Sequence, residues 1–328
     1  MVAYTGIQGQ NILIVSSDPS NPTEGQIWYN TTSNLLKGSK YVEAWASGGN
    51  MNTARSLSGG FGTQTASIIC GAQLGPLSAI TTTESYDGTS WTTVNSLNNA
   101  IAQNRGAGIQ TAGLSISGYG GNTPGANRAQ TESWNGTSWT VSGNYPTGVA
   151  SAYGNGTQTA ALAAGGYQGP GFVNNTATFN GSSWTSVPAT IGTALGYGGS
   201  AGTQTAALKF GGYTSTSVIN ATSESWNGSS WTSSPSINTA RTSFTGNGTQ
   251  TSALAAGGNT PGESTATETW NGTSWTNTTN LPTAIQNNTQ SGANSASALN
   301  AGGNPGVNGV TTTNEWNAGP ATQTITVS

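Results

Sequence analysis

Residues 239–275 decide the fold. They read Thr239-Ala240-Arg241-Thr242-Ser243-Phe244, then Gly248-Thr249-Gln250-Thr251, then Ala253-Leu254-Ala255-Ala256-Gly257-Gly258, and end in Glu268-Thr269-Trp270-Asn271-Gly272-Thr273-Ser274-Trp275. The unit recurs along the chain, and its closing tryptophan returns at intervals of 44 to 48 residues, as Trp91, Trp139, Trp184, Trp231 and Trp275. Self-similarity with a period in this range is typical of repeat architectures.

Each unit is predicted to form four short strands, a to d. Strand a carries the Ala-Arg segment, strand b the apolar run that ends in Gly-Gly, strand c the Glu-x-aromatic segment, and strand d the closing tryptophan. Asn-Gly or Asp-Gly lies between strands c and d and favours a hairpin with a type I′ turn, in which both central residues need a positive φ. Gly-Thr-Gln-Thr predicts a second tight turn between strands a and b. Four strands in a unit of this length predict one blade of a β-propeller.

The order of these motifs resembles the kelch repeat, in which a strand ending in Gly-Gly is followed by Glu-x-Tyr/Trp-Asp/Asn and then by a tryptophan. The resemblance covers residues 46–317, which give about 45 residues to each of six copies. It implies an all-β fold, a single β-propeller of six four-stranded kelch-like blades. The pattern is incomplete: Ala177 replaces the strand-c glutamate in the third copy, and the strand-a arginine is present only as Arg55, Arg105 and Arg241.

The two ends of the chain are expected to meet in one blade. The sixth copy has no closing tryptophan, whereas Trp45 lies upstream of the first copy. We therefore expect the segment around Trp45 to supply strand d of the last blade, which closes the ring and removes an exposed sheet edge. The alternative is a seventh, incomplete blade made of Ile27-Trp28-Tyr29-Asn30 and the Trp45 strand.

Charged residues are scarce. The chain has 7 Lys and Arg, 10 Asp and Glu, no His, and a net charge of −3. The scattered cations form no basic patch for nucleic acid, and no apolar run is long enough for membrane insertion. The repeated Glu84, Glu132, Glu224 and Glu268 are expected to accept hydrogen bonds from neighbouring backbone, and Cys70 is expected to be a buried strand residue. Without histidine, the sequence predicts no catalytic residues, no metal site and no cofactor.

Loop lengths separate the two ends of the predicted ring. The step from strand b to the closing tryptophan varies from 21 to 25 residues, whereas the step from each tryptophan to the next strand b is 23 or 24. Length variation is thus concentrated in the b–c loops, and variable loops on a rigid scaffold commonly carry recognition residues.

Tyrosine and asparagine follow the glycine doublets in these b–c loops. Aromatic faces stack on sugar rings and amides bond to hydroxyls, so such residues would suit a neutral saccharide. The alternative is that the tyrosines only shield the strand ends. The candidate ligand-binding residues are Tyr119, Tyr167, Tyr213, Asn259 and Asn304, and the same loops hold Asn122, Arg128 and Glu263.

Residues 1–44 do not repeat. Residues 22–37 are predicted to form two short strands about a Thr-Thr-Ser-Asn turn. They read Pro22-Thr23-Glu24-Gly25-Gln26-Ile27-Trp28-Tyr29-Asn30-Thr31-Thr32-Ser33-Asn34-Leu35-Leu36-Lys37. This stretch resembles a short hairpin that is common near domain junctions in bacteriophage tail-fibre and other virion proteins.

The resemblance implies a non-enzymatic structural protein at the virion surface, of the tail-fibre or appendage type. Residues 1–40 would be an attachment segment that binds other virion proteins, 41–317 the propeller, and 318–328 a C-terminal strand or tail. The propeller is expected to attach to a host surface through a glycan, and homo-oligomerisation is left open. Two alternatives remain: an architectural capsid or tail decoration without receptor binding, and a secreted carbohydrate-binding or carbohydrate-active protein.

Overall fold

All the regular structure is β-strand in the computed structural model, which describes residues 12–74, 78–120, 127–214, 217–306 and 308–325. In this described part of the chain, no helix is long and apolar enough to cross a membrane. The strands are β1 (Leu13–Val15), β2 (Ile27–Asn30), β3 (Leu35–Ser47), β4 (Gly59–Gly62), β5 (Ser67–Gln73), β6 (Ala79–Tyr86), β7 (Trp91–Val94), β8 (Arg105–Ile109), β9 (Ala112–Tyr119), β10 (Asn127–Trp134), β11 (Trp139–Val141), β12 (Tyr153–Gly156), β13 (Ala161–Ala164), β14 (Tyr167–Gln168), β15 (Gly171–Phe172), β16 (Thr176–Phe179), β17 (Trp184–Val187), β18 (Gly199–Gly202), β19 (Ala207–Tyr213), β20 (Ile219–Trp226), β21 (Trp231–Ser234), β22 (Gly246–Thr249), β23 (Ser252–Ala256), β24 (Thr267–Trp270), β25 (Trp275–Asn277), β26 (Thr289–Asn294), β27 (Ser297–Ala301) and β28 (Thr313–Thr324).

Six four-stranded blades form a β-propeller. The first five have the strand orders β4-β5-β6-β7, β8-β9-β10-β11, β12-β13-β16-β17, β18-β19-β20-β21 and β22-β23-β24-β25. The sixth has the order β26-β27-β28-β3, so the N-terminal strand that contains Trp45 closes the ring, as the sequence predicts. The alternative of a seventh blade is wrong, because Ile27–Asn30 pairs with β1 and with Leu35–Gly38 of β3.

The chain divides into two compact units, Trp45–Trp316 and Met1–Ala44 with Asn317–Ser328. Of the second unit, residues 12–44 and 317–325 are described. Its predicted hairpin is present, with Asn30 paired to Leu35 across the Thr-Thr-Ser-Asn turn. The Asp18 carboxylate accepts hydrogen bonds from Trp28 and Asn30 and forms a 2.7 Å ion pair with Lys37, and these contacts lower the pKa of Asp18 to about 2.

The c–d hairpins are confirmed, but their predicted type I′ turn is wrong. Tyr86 pairs with Trp91, which leaves a four-residue loop, and in this loop only Gly88 has a positive φ. The Asp87 carboxylate accepts the backbone N–H groups of Thr89 and Ser90, each at 2.8 Å. This local bond is an Asx turn, and it stabilises the loop without a second positive φ. The asparagines at the equivalent positions of the next four blades make the same bonds.

Strand a begins later than predicted. Arg55 lies before β4, and Arg241 lies before β22. Arg105, in contrast, is the first residue of β8 and is not equivalent to these two arginines, so the predicted grouping of all three is wrong. The blade-to-blade alignment places Ile101 at the position of Arg55.

The strand-c glutamates are architectural, as predicted. Glu84 accepts the backbone N–H groups of Asn52 at 2.7 Å and Thr53 at 3.1 Å, which anchors the segment leading into strand a to strand c of the same blade. Glu132 and Glu268 make the same pair of bonds, and Glu224 accepts one from Gly192. Buried cations complete three of these sites, through the pairs Arg55–Glu84, Lys209–Glu224 and Arg241–Glu268.

Aromatic residues hold each blade and join it to the next. The last aromatic residue of strand c packs against the strand-d tryptophan in all six blades, with ring centroids 4.9 to 5.4 Å apart; in the sixth blade the pair is Trp316 and Trp45. Five of the strand-d indole N–H groups donate to a strand-c threonine of the preceding blade, as Trp139 does to Thr83 at 3.1 Å. The glutamine of each Gly-Thr-Gln-Thr turn, and Gln110 at the equivalent place in the second blade, also donates to a backbone carbonyl of the preceding blade.

A closed ring of backbone hydrogen bonds runs around the propeller axis. One residue of each blade takes part, donating its N–H to the carbonyl oxygen of the equivalent residue in the preceding blade, at 2.5 to 3.0 Å. All six have φ between 52 and 61° although none is glycine. The ring residues are Leu57, Gln103, Ser151, Tyr197, Ser243 and Asn287.

Candidate functional site

The five candidate ligand-binding residues occupy one position that repeats around the propeller. Each forms a β-bridge with the residue that precedes a ring residue, so all of them lie at the end of the propeller where the b–c loops meet the ring. The bridges are Tyr119–Ala102, Tyr167–Ala150, Tyr213–Gly196, Asn259–Thr242 and Asn304–Gln286.

Three of these five residues line one cavity of about 450 Å³, namely Tyr167, Tyr213 and Asn259. The other two lie outside it. Tyr119 is buried against its own blade and pairs with Asn127, while Asn304 accepts a 2.8 Å hydrogen bond from Asn287 and donates one to the carbonyl of Gly306. The cavity therefore lies to one side of the axis, over the third to sixth blades.

Phe172 is the residue that organises the cavity wall. It lies on the two-stranded hairpin β14–β15, which the b–c loop of the third blade forms. Its ring contacts those of Tyr167, Tyr197 and Tyr213 edge-to-face, at centroid distances of 5.4, 6.1 and 6.1 Å. Four half-buried aromatic rings thus meet in one place, and such pairs are favourable beyond the area they bury.

Sequence reasoning missed both Phe172 and Tyr197. Gly169-Pro170-Gly171 is a turn signal, and an aromatic residue directly after it could have marked Phe172 as a loop-borne side chain. Tyr197 gives no such signal, because it belongs to the connection between two blades rather than to a b–c loop. Its hydroxyl donates to the Gln103 side chain at 2.7 Å, and burial raises the pKa of Tyr197.

Amide groups complete the cavity, and none of the described residues that line it is charged. Asn259 donates to the Gln286 side-chain oxygen at 3.0 Å, and Gln286 donates to the Glu263 carboxylate at 3.1 Å. The chain of bonds fixes the orientation of both amides at the cavity wall. Glu263 also accepts the backbone N–H of Gly306 at 3.1 Å, so its carboxylate is held by two donors.

The remaining b–c loop residues of interest lie elsewhere. Arg128 is exposed and its side chain covers Gly120, where a Cβ would come within 2.2 Å of the guanidinium Nε. Asn122 lies outside the described residues. Within the described ranges, no group of three or more His, Cys, Asp and Glu side chains is placed to hold a metal ion.

The geometry defines a class of protein, a six-bladed β-propeller with an aromatic and uncharged cavity on the face of its b–c loops. The fold is similar to that of a solved structure of a protein named YjhT, with a TM-score of 0.68 and 15% sequence identity over 84% of this chain and 99% of that chain. At this identity the similarity shows the β-propeller fold alone. No protein-family model matches the sequence, and the search of curated proteins found no match.

Proposed function

We propose that this protein is a non-enzymatic bacteriophage virion protein, of the tail-fibre or appendage type, and that its propeller binds a neutral saccharide on the host surface. The observation that carries the binding function is the cavity in which Tyr167, Phe172, Tyr197 and Tyr213 meet beside two oriented amides.

The cavity suits a sugar in size and chemistry. Its volume of about 450 Å³ lies within the range of small-molecule sites. Aromatic rings present apolar faces to the C–H groups of a pyranose, while the Asn259 and Gln286 amides can both donate to and accept from its hydroxyls. Because no charged side chain lines the wall, a neutral sugar enters without leaving a buried charge unpaired.

The non-enzymatic assignment is based on the hydrogen bonds that the carboxylates already accept within the protein. Glu84, Glu132, Glu224 and Glu268 are each bonded to backbone N–H groups within their own blade. Glu263, whose carboxylate accepts a hydrogen bond from the cavity residue Gln286, also accepts the backbone N–H of Gly306. Glycoside hydrolysis generally needs two carboxyl groups that flank the scissile bond, and this wall offers no such pair.

The virion assignment is supported by the N-terminal segment. Residues 22–37 resemble a hairpin of tail-fibre and other virion proteins, and two strands joined by the Thr-Thr-Ser-Asn turn are present there. A propeller carried on such a segment would act as the terminal, host-facing part of an appendage.

Binding is tested with the purified full chain on an array of bacterial and neutral glycans, followed by titration of any hit. We expect Phe172→Ala and Tyr213→Ala to weaken binding at least tenfold, because each removes a ring of the aromatic cluster. Tyr41→Ala is the matched control, because this tyrosine is 44% exposed and lies in the other unit of the chain. Equal binding by all three variants, with unchanged unfolding midpoints, would contradict the assignment of the saccharide site to this cavity.

The virion context needs a separate experiment. Antibody raised against the recombinant propeller is used for immunogold labelling of intact particles from the source culture. Gold at fibre tips is expected, and Tyr167→Ala should then reduce host adsorption. Gold spread over the capsid or tail shaft would indicate the decoration alternative, and particles without gold would remove the virion assignment while leaving the glycan site intact.

A further inference from the structure

The channel along the propeller axis contains an arginine without a carboxylate partner. Arg105 lies at the start of β8, and its side chain crosses to the neighbouring blades. Its Nε donates to the carbonyl oxygen of Ala152, and its Nη2 donates to that of Gly198 at 3.3 Å. The three buried cations of the propeller, Arg55, Lys209 and Arg241, are all paired with glutamates. Among the ion pairs of the described residues, none includes Arg105.

Glycine makes this channel narrow. The innermost strands carry Gly60, Gly106, Gly154 and Gly246 at one equivalent level, with Ser200 in the fourth blade. A Cβ at Gly106 would lie 2.3 Å from the carbonyl oxygen of Gly60, so only glycine lets these strands approach so closely. The result is a cavity of about 30 Å³ at the level of Arg105.

The channel opens toward the a–b turns rather than toward the b–c loops. At the ring of backbone hydrogen bonds, the space beside Leu57 and Asn287 falls to about 10 Å³. On the other side, a wider space of about 90 Å³ shares Gly60, Gly106 and Gln290 with the Arg105 cavity. A small solute therefore reaches Arg105 from the end opposite the saccharide site.

A guanidinium in this place needs compensation. Arg105 is half-buried, and two carbonyl dipoles offset only part of the cost of removing its cation from water. Burial lowers the pKa of Arg105 to about 10, which still leaves it charged at neutral pH. An anion here would be bound by the N–H groups of Arg105 that its two bonds to Ala152 and Gly198 leave over, because the Ser200 and Thr245 hydroxyls that line the same cavity already donate to backbone carbonyls.

We propose that the axial cavity beside Arg105 binds a small monovalent anion such as chloride. On the same volume scale, about 10–15 Å³ is enough to hold one water molecule, so about 30 Å³ has room for a monatomic ion. The anion would neutralise Arg105 and link the second, third and fourth blades through it. This site is independent of the proposed saccharide site.

The first test measures thermal unfolding of the full chain while chloride replaces gluconate at constant ionic strength. An anion that binds only the folded state raises the folding constant about tenfold for each tenfold rise in its concentration above Kd. We expect this dependence in the wild type and in Arg128→Gln, the matched control on an exposed loop, and its loss in Arg105→Gln. Equal chloride dependence of Arg105→Gln and the wild type would overturn the proposal, as would no dependence in the wild type.

A second test avoids the variant, since Arg105→Gln could fail to fold. Crystals of the wild-type chain are grown or soaked in sodium bromide, and anomalous scattering locates the ion. A bromide peak beside the Arg105 guanidinium is expected, and a channel without one at this level would overturn the proposal.

Discussion

The backbone N–H of Leu57 donates to the carbonyl oxygen of Asn287 at 2.9 Å, and this bond is one of those that join the first blade to the last. It completes the ring of six such bonds, so no blade can leave the propeller without breaking two of them. Every ring residue has a φ between 52 and 61°, a region that costs an ordinary L-residue about 1–2 kcal/mol. The ring therefore holds six residues in a conformation that the isolated chain disfavours.

Leucine is disfavoured in that conformation, so Leu57→Asn should stabilise the protein. Asparagine occupies the left-handed region more readily than leucine does, and Asn287 already stands at the equivalent place. We expect a gain of about 0.5–1 kcal/mol in the free energy of unfolding, measured by urea denaturation. Leu57→Val is the matched control and should lose stability, because β-branched residues are rare at positive φ. A valine variant as stable as the asparagine variant would contradict this account.

Trp45 should stabilise the folded protein as much as a tryptophan does in a blade formed by one continuous stretch of chain. Its ring lies 5.3 Å from Trp316, the same separation as between Trp231 and Trp226. We expect Trp45→Ala and Trp231→Ala each to lower the free energy of unfolding by about 3–5 kcal/mol, measured in guanidinium chloride. A loss only at Trp231 would mean that the N-terminal strand contributes little to ring closure.

The blades were predictable because their signal repeats. The tryptophan period, the Asn-Gly loops and the missing tryptophan of the last copy were enough to predict six blades and the role of Trp45. Single-copy features gave no such signal. In the sequence, Arg105 lies close to the position that Arg55 and Arg241 occupy in their copies. Only the register of β8 showed that its side chain faces the channel rather than Glu132.

The candidate site was predicted in part for the same reason. The b–c loop position was visible in five copies, which identified Tyr167, Tyr213 and Asn259. The cavity itself depends on where one loop folds, because Phe172 reaches Tyr197 and Tyr213 from the third blade. No pattern along the chain predicts these contacts between aromatic rings, since the residues lie on separate structural elements.

Removing Glu268 alone should be more damaging than removing it together with its partner. Glu268 lies 2.8 Å from the buried Arg241, and its loss would leave that cation uncompensated. We expect Glu268→Ala to cost about 3–5 kcal/mol of unfolding free energy. The double variant with Arg241→Val reproduces the third blade, which has Val149 and Ala177 at these places, and should cost less than the sum of the single changes. A double-mutant cycle in urea measures the coupling, and strict additivity would contradict it.

Cys70 should make the protein less stable in alkali. Burial raises the pKa of its thiol to about 12, whereas an unfolded cysteine ionises near about 8.5. Because the unfolded chain loses this proton first, the stabilisation is complete below about pH 8.5 and is lost as the pH rises toward the folded pKa. Between about pH 9 and 10, the wild type should lose up to about 1.4 kcal/mol per pH unit relative to Cys70→Ala. Parallel stability profiles of the two proteins would contradict the assignment.

Ser223→Thr should repair the one junction between blades that lacks its indole bond. In the described chain, the buried Trp275 indole N–H and the buried Ser223 hydroxyl both have no hydrogen-bond partner, whereas the tryptophans of the other five junctions donate to a threonine. Threonine is stiffer at χ1 than serine, so its hydroxyl would be held toward the indole as in those junctions. We expect a gain of about 0.5–1.5 kcal/mol in the free energy of unfolding, measured by chemical denaturation. The matched control, Thr176→Ser opposite Trp231, should lose stability; if both variants were neutral, the indole bonds would contribute nothing to holding the blades together.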